Sequence, residues 1–224
     1  MAAGLNTGPV IVWFRNDLRI ADNAALNAAA ETGLPVICLY VRDPSSPLRP
    51  LVSAQLWWLH HSLAALDFKL RGLGASLILK TGVTADVIDT IISQTGAEHV
   101  FWNRRYDPAA IPLDAAIKSS LKARNIDVRT FDGQLLHEPT QVKTGAGNHF
   151  KVYTPFWRAL NALPEPRPPF AAPLKLSQGS ARLDSERLED WNLQPTKPDW
   201  AGGMQREWVP GEDGAKARLD TFLD

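Results

Sequence analysis

Apolar runs at residues 9–14 (PVIVWF) and 36–41 (VICLYV) are short and rich in β-branched side chains, and Ser76–Lys80, Glu98–Trp102 and Ile126–Phe131 are three further strand candidates. Between them apolar residues recur with helical spacing. The first run stops abruptly at Arg15, and Asp22-Asn23 then caps an alanine-rich helix. Residues 53–71 set Leu56, Leu59, Leu63, Leu66 and Leu70 on one stripe, which Gly72 and Gly74 end. Residues 84–95 gather Val87, Ile88, Ile91 and Ile92 on one side before Gly96, and Pro112–Arg124 aligns Leu113, Ile117 and Leu121. The alternation is β-α-β-α-β-α-β-α-β. Strands this apolar are covered on both faces, so the predicted fold is α/β. It is a Rossmann-like, doubly wound five-stranded parallel sheet with helices on both faces, followed by a long irregular connector. Ligands of such sheets sit outside the strand carboxyl ends, where strand order reverses. The charged loop Arg15–Arg19 overlooks that point.

After Phe131 the pattern changes. Gln141–Lys143 and His149–Tyr153 flank Gly145-Ala146-Gly147-Asn148, which reads as a hairpin or a glycine loop. Residues 154–163 form a short helix candidate. Pro164–Pro210 holds eight of the 17 prolines, which makes it a connector lying over a surface rather than part of a core. Without a following helical domain, residues from about Ser177 onward are expected to pack poorly or to borrow a neighbour's surface. Pro210 then precedes an amphipathic segment with Ala215, Leu219 and Phe222, which reads as the first turns of a further helical unit or, as the alternative, a terminal helix that docks back on the sheet; the first is favoured. The expected division is therefore 1–132, an α/β domain; 133–209, the connector; and 210–224, the start of a helical domain.

Charge narrows the partners. Lys+Arg and Asp+Glu are 24 each, so the net charge is zero, and a grip on a DNA backbone by this chain alone is not expected. The single cysteine, Cys38, permits no internal disulfide and suits a reducing cytoplasm. The opening MAAGLNTGP lacks the features of a signal peptide, and no apolar stretch is long enough to span a bilayer, so no membrane partner is expected. No G-x-G-x-x-G follows the first strand, and G-x-x-x-x-G-K-[ST] and G-x-S-x-G are missing, which weakens dinucleotide, P-loop and hydrolase readings.

Two clusters carry candidate chemistry. Arg15, Asp17 and Arg19 are either a polar mouth for an anionic or π-rich ligand, or a loop fixed by pairing of the arginines with Asp17, Asp22 or Asp43; physics alone favours pairing. The string Trp102-Asn103-Arg104-Arg105-Tyr106-Asp107-Pro108 follows the fourth strand at the same edge, where guanidinium and aromatic groups stack on flat chromophores or serve as ordinary rim residues. His60-His61 have no metal-spaced partner and read as surface or half-buried residues. Cys38 reads as an inert core thiol, and Trp57-Trp58 as packing.

Several strings in order give the chain a wider likeness. W-F-R-N-D-L-R-x-x-D-N-x-A-L at 13–26, Leu39–Pro44, Trp102–Pro108, Gly133–Pro139, Tyr153–Arg158 and Trp208-x-Pro-Gly-Glu212 together resemble the photolyase/cryptochrome family over essentially the whole chain. The wording is most similar to bacterial cyclobutane-dimer photolyases near plant cryptochromes. The resemblance implies an antenna domain at 1–132, a connector, and the first turns of a helical FAD-binding domain. It implies a parent protein that repairs cyclobutane pyrimidine dimers by light-driven electron transfer from FAD to a flipped-out lesion, with damaged DNA bound mainly by the second domain. The flavin ligands would lie beyond Asp224, so this chain is expected to be inactive alone. Cryptochrome-type photoreception is the alternative, and a stand-alone α/β nucleotide-binding protein the less favoured one.

The same resemblance bears on the antenna chromophore. Deazaflavin-binding relatives carry an arginine where Asn16 stands and an aspartate where Arg105 stands, and some folate-binding relatives carry a carboxylate at Ala109-Ala110. All are changed here. Methenyltetrahydrofolate held differently is the expected chromophore, lined by Phe14, Arg15, Asn16, Tyr40, Asn103 and Arg105.

Overall fold

A computed structural model describes residues 7–177 and 183–224. The first six residues, part of the opening read above as lacking a signal peptide, and residues 178–182 of the connector lie outside the described residues. All five strands form within one residue of their expected limits: β1 (Val10–Phe14), β2 (Val36–Arg42), β3 (Leu77–Thr81), β4 (His99–Asn103) and β5 (Asp127–Phe131). They pair in parallel in the order β3-β2-β1-β4-β5, so the order reverses between β1 and β4.

Side chains of a strand alternate between the two faces of its sheet. Val10, Val12 and Phe14 accordingly meet α1 (Ala24–Glu31) and α2 (Ser53–Gly72), packing with Leu26, Leu63, Leu66 and Leu70. Ile11 and Trp13 point the other way, onto Ile88 and Ile91 of α3 (Thr84–Thr95) and Ile117 and Leu121 of α4 (Ala110–Ala123). Each wholly buried leucine or isoleucine contributes about 1.5–3 kcal/mol. Asn23 caps α1, its side chain accepting from the Leu26 N–H at 3.0 Å.

The part beyond β5 differs from expectation in two places. Among the described residues no strands flank Gly145–Asn148. Instead Thr144 closes a tight turn, its N–H donating to the Asn148 carbonyl at 2.8 Å and its carbonyl accepting from Gly147 at 2.8 Å. Val152 then leads directly into α5 (Tyr153–Asn161), which uses up the second flank. The connector is also better packed than its prolines suggest. The Leu79 N–H donates to Ser185 Oγ at 3.0 Å and its carbonyl accepts from the Glu186 N–H at 2.9 Å. A short 3₁₀ turn, Leu188–Trp191, then seats Trp191 and Leu193 in the core layer of α1 and α2. The physical reason is the open edge of β3: an edge strand presents unpaired N–H and C=O groups, and the strap covers them. Proline prevents regular structure there without preventing burial. The last elements, α6 (Gly202–Glu207) and α7 (Glu212–Leu223), bury none of their own side chains fully.

Candidate functional site at the carboxyl ends of β1 and β4

Asn103, the last residue of β4, organises this strand end. Its side-chain NH₂ donates to Asp17 Oδ2 at 2.6 Å and to Asn23 Oδ1 at 2.9 Å, and its Oδ1 accepts from the Ala25 N–H at 3.1 Å. Asp17 Oδ1 accepts from the Arg15 N–H at 2.8 Å. The polar groups of Arg15, Asp17, Asn23 and Asn103 are thus buried together, as low-dielectric interiors require of groups that satisfy one another.

Arg15 turns to the opposite face. One guanidinium nitrogen donates to Asp114 Oδ2 at 2.7 Å and another to the Asn103 carbonyl. Arg105 reaches the same carboxylate, donating to Asp114 Oδ1 at 2.9 Å. Both guanidiniums lie against Trp13, at 4.4 Å and 5.6 Å from its ring centre, within range of a cation–π attraction. Burial pulls the Arg15 pKa below its ordinary value, with Asp114 opposing and Arg105 reinforcing the shift.

Of the six residues predicted to line the site, Arg15 and Arg105 meet on one carboxylate. Phe14 lies wholly inside the α1/α2 core, and Asn103 is locked in the network above. Asn16 is exposed. Tyr40, ending the sheet contact of β2 with β1, lies half-buried with its ring 6.0 Å from Trp191. Burial pushes its hydroxyl up to about 12, against the pull of Arg105 and Arg42. Arg19 pairs with Asp22 at 3.6 Å, one of the acids expected; Arg15 pairs with Asp114 instead, and Asp43 binds the N–H and hydroxyl of Thr84 at the start of α3, both at 2.9 Å. Asp114 was missed. Its signal was weak: it is the one acidic residue of α4, 99 positions from Arg15.

The other family-like strings join the same framework. Arg104 donates to Glu138 Oε1 at 2.8 Å, and the Tyr106 hydroxyl donates to the same oxygen. Burial and Glu138 raise Tyr106 to about 12. Arg19 donates to the Gly133 carbonyl at 2.9 Å. A Cβ on Gly133 would lie 2.5 Å from that of Asn103, so glycine is required for this approach. A separate cleft of about 760 Å³ lies between residues 134–142 and α5, lined by Leu135, Val142, Phe156 and Trp157 among others. It holds none of the paired charges of the β1/β4 end, where the candidate chemistry is concentrated. Among the described residues no cluster of His, Cys, Asp and Glu suits a metal, and no helix is long and apolar enough to cross a membrane.

Comparison with known proteins places this framework. The family model described as DNA photolyase matches residues 10–174. The chain is 50% identical over 220 residues to the Deoxyribodipyrimidine photo-lyase of Agrobacterium fabrum, covering 98% of this chain and 46% of that protein. It is 37% identical over 228 residues to Cryptochrome-1 of Arabidopsis thaliana, covering 97% and 32%. The crystal structure of a bacterial class III photolyase from Agrobacterium tumefaciens matches with a TM-score of 0.92 at 50% identity, over 100% of this chain and 46% of that one. The chain therefore spans less than half the length of these proteins.

Proposed function

The chain belongs to the DNA photolyase family, and from that premise we propose that it is the antenna part of a deoxyribodipyrimidine photolyase. In this reading it holds a light-harvesting chromophore beside Arg15 and Arg105, and its parent repairs cyclobutane pyrimidine dimers in DNA, in the cytoplasm. One observation carries the antenna reading. Two nearly buried arginines share Asp114 at the point where strand order reverses, the place where open parallel sheets bind ligands.

Methenyltetrahydrofolate, when bound, supplies near-ultraviolet absorption. Both Asp114 oxygens are already taken by arginines and Ala109-Ala110 carry no carboxylate, so neither position supplies a free acid to a pterin's N–H edge. What the corner offers is N–H donors and aromatic faces. Arg15 and Arg105 would hold acceptor atoms of the chromophore, and Trp13 and Tyr40 would limit its position.

Flavin binding, electron transfer and most DNA contact are assigned to the length of the relatives that this chain does not cover. Its zero net charge supports that division, and the chain alone is expected to repair nothing. Titration of the purified chain with methenyltetrahydrofolate, read by near-ultraviolet absorption, tests the antenna reading. Saturable binding, weakened in Arg105→Ala, supports it. Failure to bind, both in this chain and in the longest product of its gene, overturns it. The 37% identity to a cryptochrome keeps photoreception as a second reading; light-dependent dimer repair by the longer product separates the two.

A further inference from the structure

Four buried N–H groups crowd the β1/β4 end without an acceptor among the described residues: Trp13 Nε1, Trp102 Nε1, Arg15 Nε and Arg105 Nε. Their side chains form one cluster. The two indole rings meet edge-on at 5.6 Å. The Arg15 guanidinium carbon lies 4.4 Å from the centre of Trp13 and 6.0 Å from that of Trp102, and that of Arg105 lies 5.6 Å from Trp13. The burial is deep: Trp13 is 2% exposed and Trp102 1%, and the arginine side chains are 5% and 9% exposed.

Buried polar groups are nearly always hydrogen-bonded. A corner whose spare groups are all donors therefore has a definite complement, a group that only accepts. Two guanidiniums divide the oxygens of one carboxylate, Asp114; with the buried Asp17 the charges of the corner balance, so it is the spare donors, not net charge, that call for an acceptor. The two oxygens of Asp17 are engaged by the Arg15 N–H and by Asn103. Guanidinium is also the side-chain group best matched to planar or tetrahedral oxyanions.

We propose that this corner binds an oxyanion, a carboxylate or phosphate group, through Arg15, Arg105 and the indole N–H groups of Trp13 and Trp102. The inference rests on, and deepens, the reading of this strand end as a chromophore seat. The oxyanion is either a carboxylate on the chromophore's tail or a free inorganic ion.

The test follows the indole and arginine Nε–H resonances of the ¹⁵N-labelled chain. One titration uses inorganic phosphate and another N-(4-aminobenzoyl)-L-glutamate, the tail of a folate, each against sodium chloride at matched ionic strength. The expected result is a saturable shift of the Trp13 and Trp102 signals, with binding roughly tenfold weaker in Arg105→Gln. A response to the tail compound alone supports the chromophore-borne source, and a response to both supports a free oxyanion as well. Indole signals unmoved by either probe overturn the proposal. Should Arg105→Gln fail to fold, Trp102→Phe keeps the aromatic bulk, removes one donor and is expected to weaken binding. A chain that takes up methenyltetrahydrofolate while these resonances stay still refutes the oxyanion corner and leaves the antenna reading standing. Shifts without uptake do the reverse.

Discussion

The carboxylate of Glu212 accepts the backbone N–H of Ala21 at 3.0 Å, tying the first turn of α7 to the loop that follows β1. Its other oxygen accepts from the Ile20 N–H at 3.2 Å and from Lys69 of α2, also at 3.2 Å. Gly211, with φ at 108°, lets the chain approach α2 so closely that a Cβ there would sit 2.9 Å from that of Ala65. Trp208 meets Trp58 edge-on at 5.8 Å beside this contact. The string W-x-P-G-E is thus a docking device, in which each quoted residue outside the variable position and Pro210 has a defined contact or backbone need.

Glu212→Ala removes the acceptor of two backbone N–H groups and one partner of Lys69, a loss of about 1–3 kcal/mol. Because α7 buries no side chain fully, the expected effect is local. Limited proteolysis should cut between Glu207 and Leu223 faster than in the unaltered chain, while the sheet remains resistant. Equal cleavage rates would show that the clamp does not hold α7.

Asn103→Ala reaches deeper. It leaves the Asp17 carboxylate, the Asn23 side chain and the Ala25 N–H each short of a partner inside the protein. A change that strands several buried polar groups belongs to the large-effect class, about 3 kcal/mol or more. Urea unfolding should show a lower midpoint at an unchanged slope. A midpoint within experimental error of the original would mean that water replaces the amide without penalty.

The contrast between Arg15 and Asp114 shows what sequence could and could not reveal. Arg15 stands out because it ends an apolar run, and Arg105 because it follows another; strand ends are local features. Their shared carboxylate comes from a helix 99 residues after Arg15, and no periodicity relates the two. The sheet itself was legible for the same reason that Arg15 was: each central strand is an apolar run, and the glycines after α2 and α3 mark where helices stop. Trp191 and Leu193 were illegible because they lie in a proline-rich stretch with no period. Their burial depends on the exposed edge of β3, a consequence of strand order and not of local pattern. Phe14 and Asn103 sit at the right strand ends, yet the side-chain alternation sends them away from the Arg15–Arg105 face.

Cys38 provides a probe of unfolding. It is wholly buried in β2, and burial raises its thiol to about 12. At about pH 8 the folded chain should therefore resist a thiol reagent, since the thiolate is the reactive form. Labelling should follow global unfolding and accelerate with urea. Rapid stoichiometric labelling of the native chain would show that the α1/α2 layer opens locally.

Acid should weaken the fold through specific carboxylates. Burial disfavours the charge of Asp43, but hydrogen bonds from Ser45 and Thr84 outweigh it and leave its pKa below the ordinary 3.8. Glu186 behaves alike: burial is outweighed by Thr81 and Trp191, and its pKa falls below 4.5. A carboxyl whose pKa is lower folded than unfolded stabilises fully above its unfolded value and loses that contribution as pH falls through its folded value. The melting temperature should accordingly stay level with respect to these two groups above about pH 5 and decline below the 4.5 and 3.8 reference values. Asp43→Ala should lower the melting temperature at neutral pH, through loss of the Thr84 bonds at the start of α3, and make the acid decline shallower. An unchanged acid slope in that variant would assign the acid sensitivity to other carboxylates.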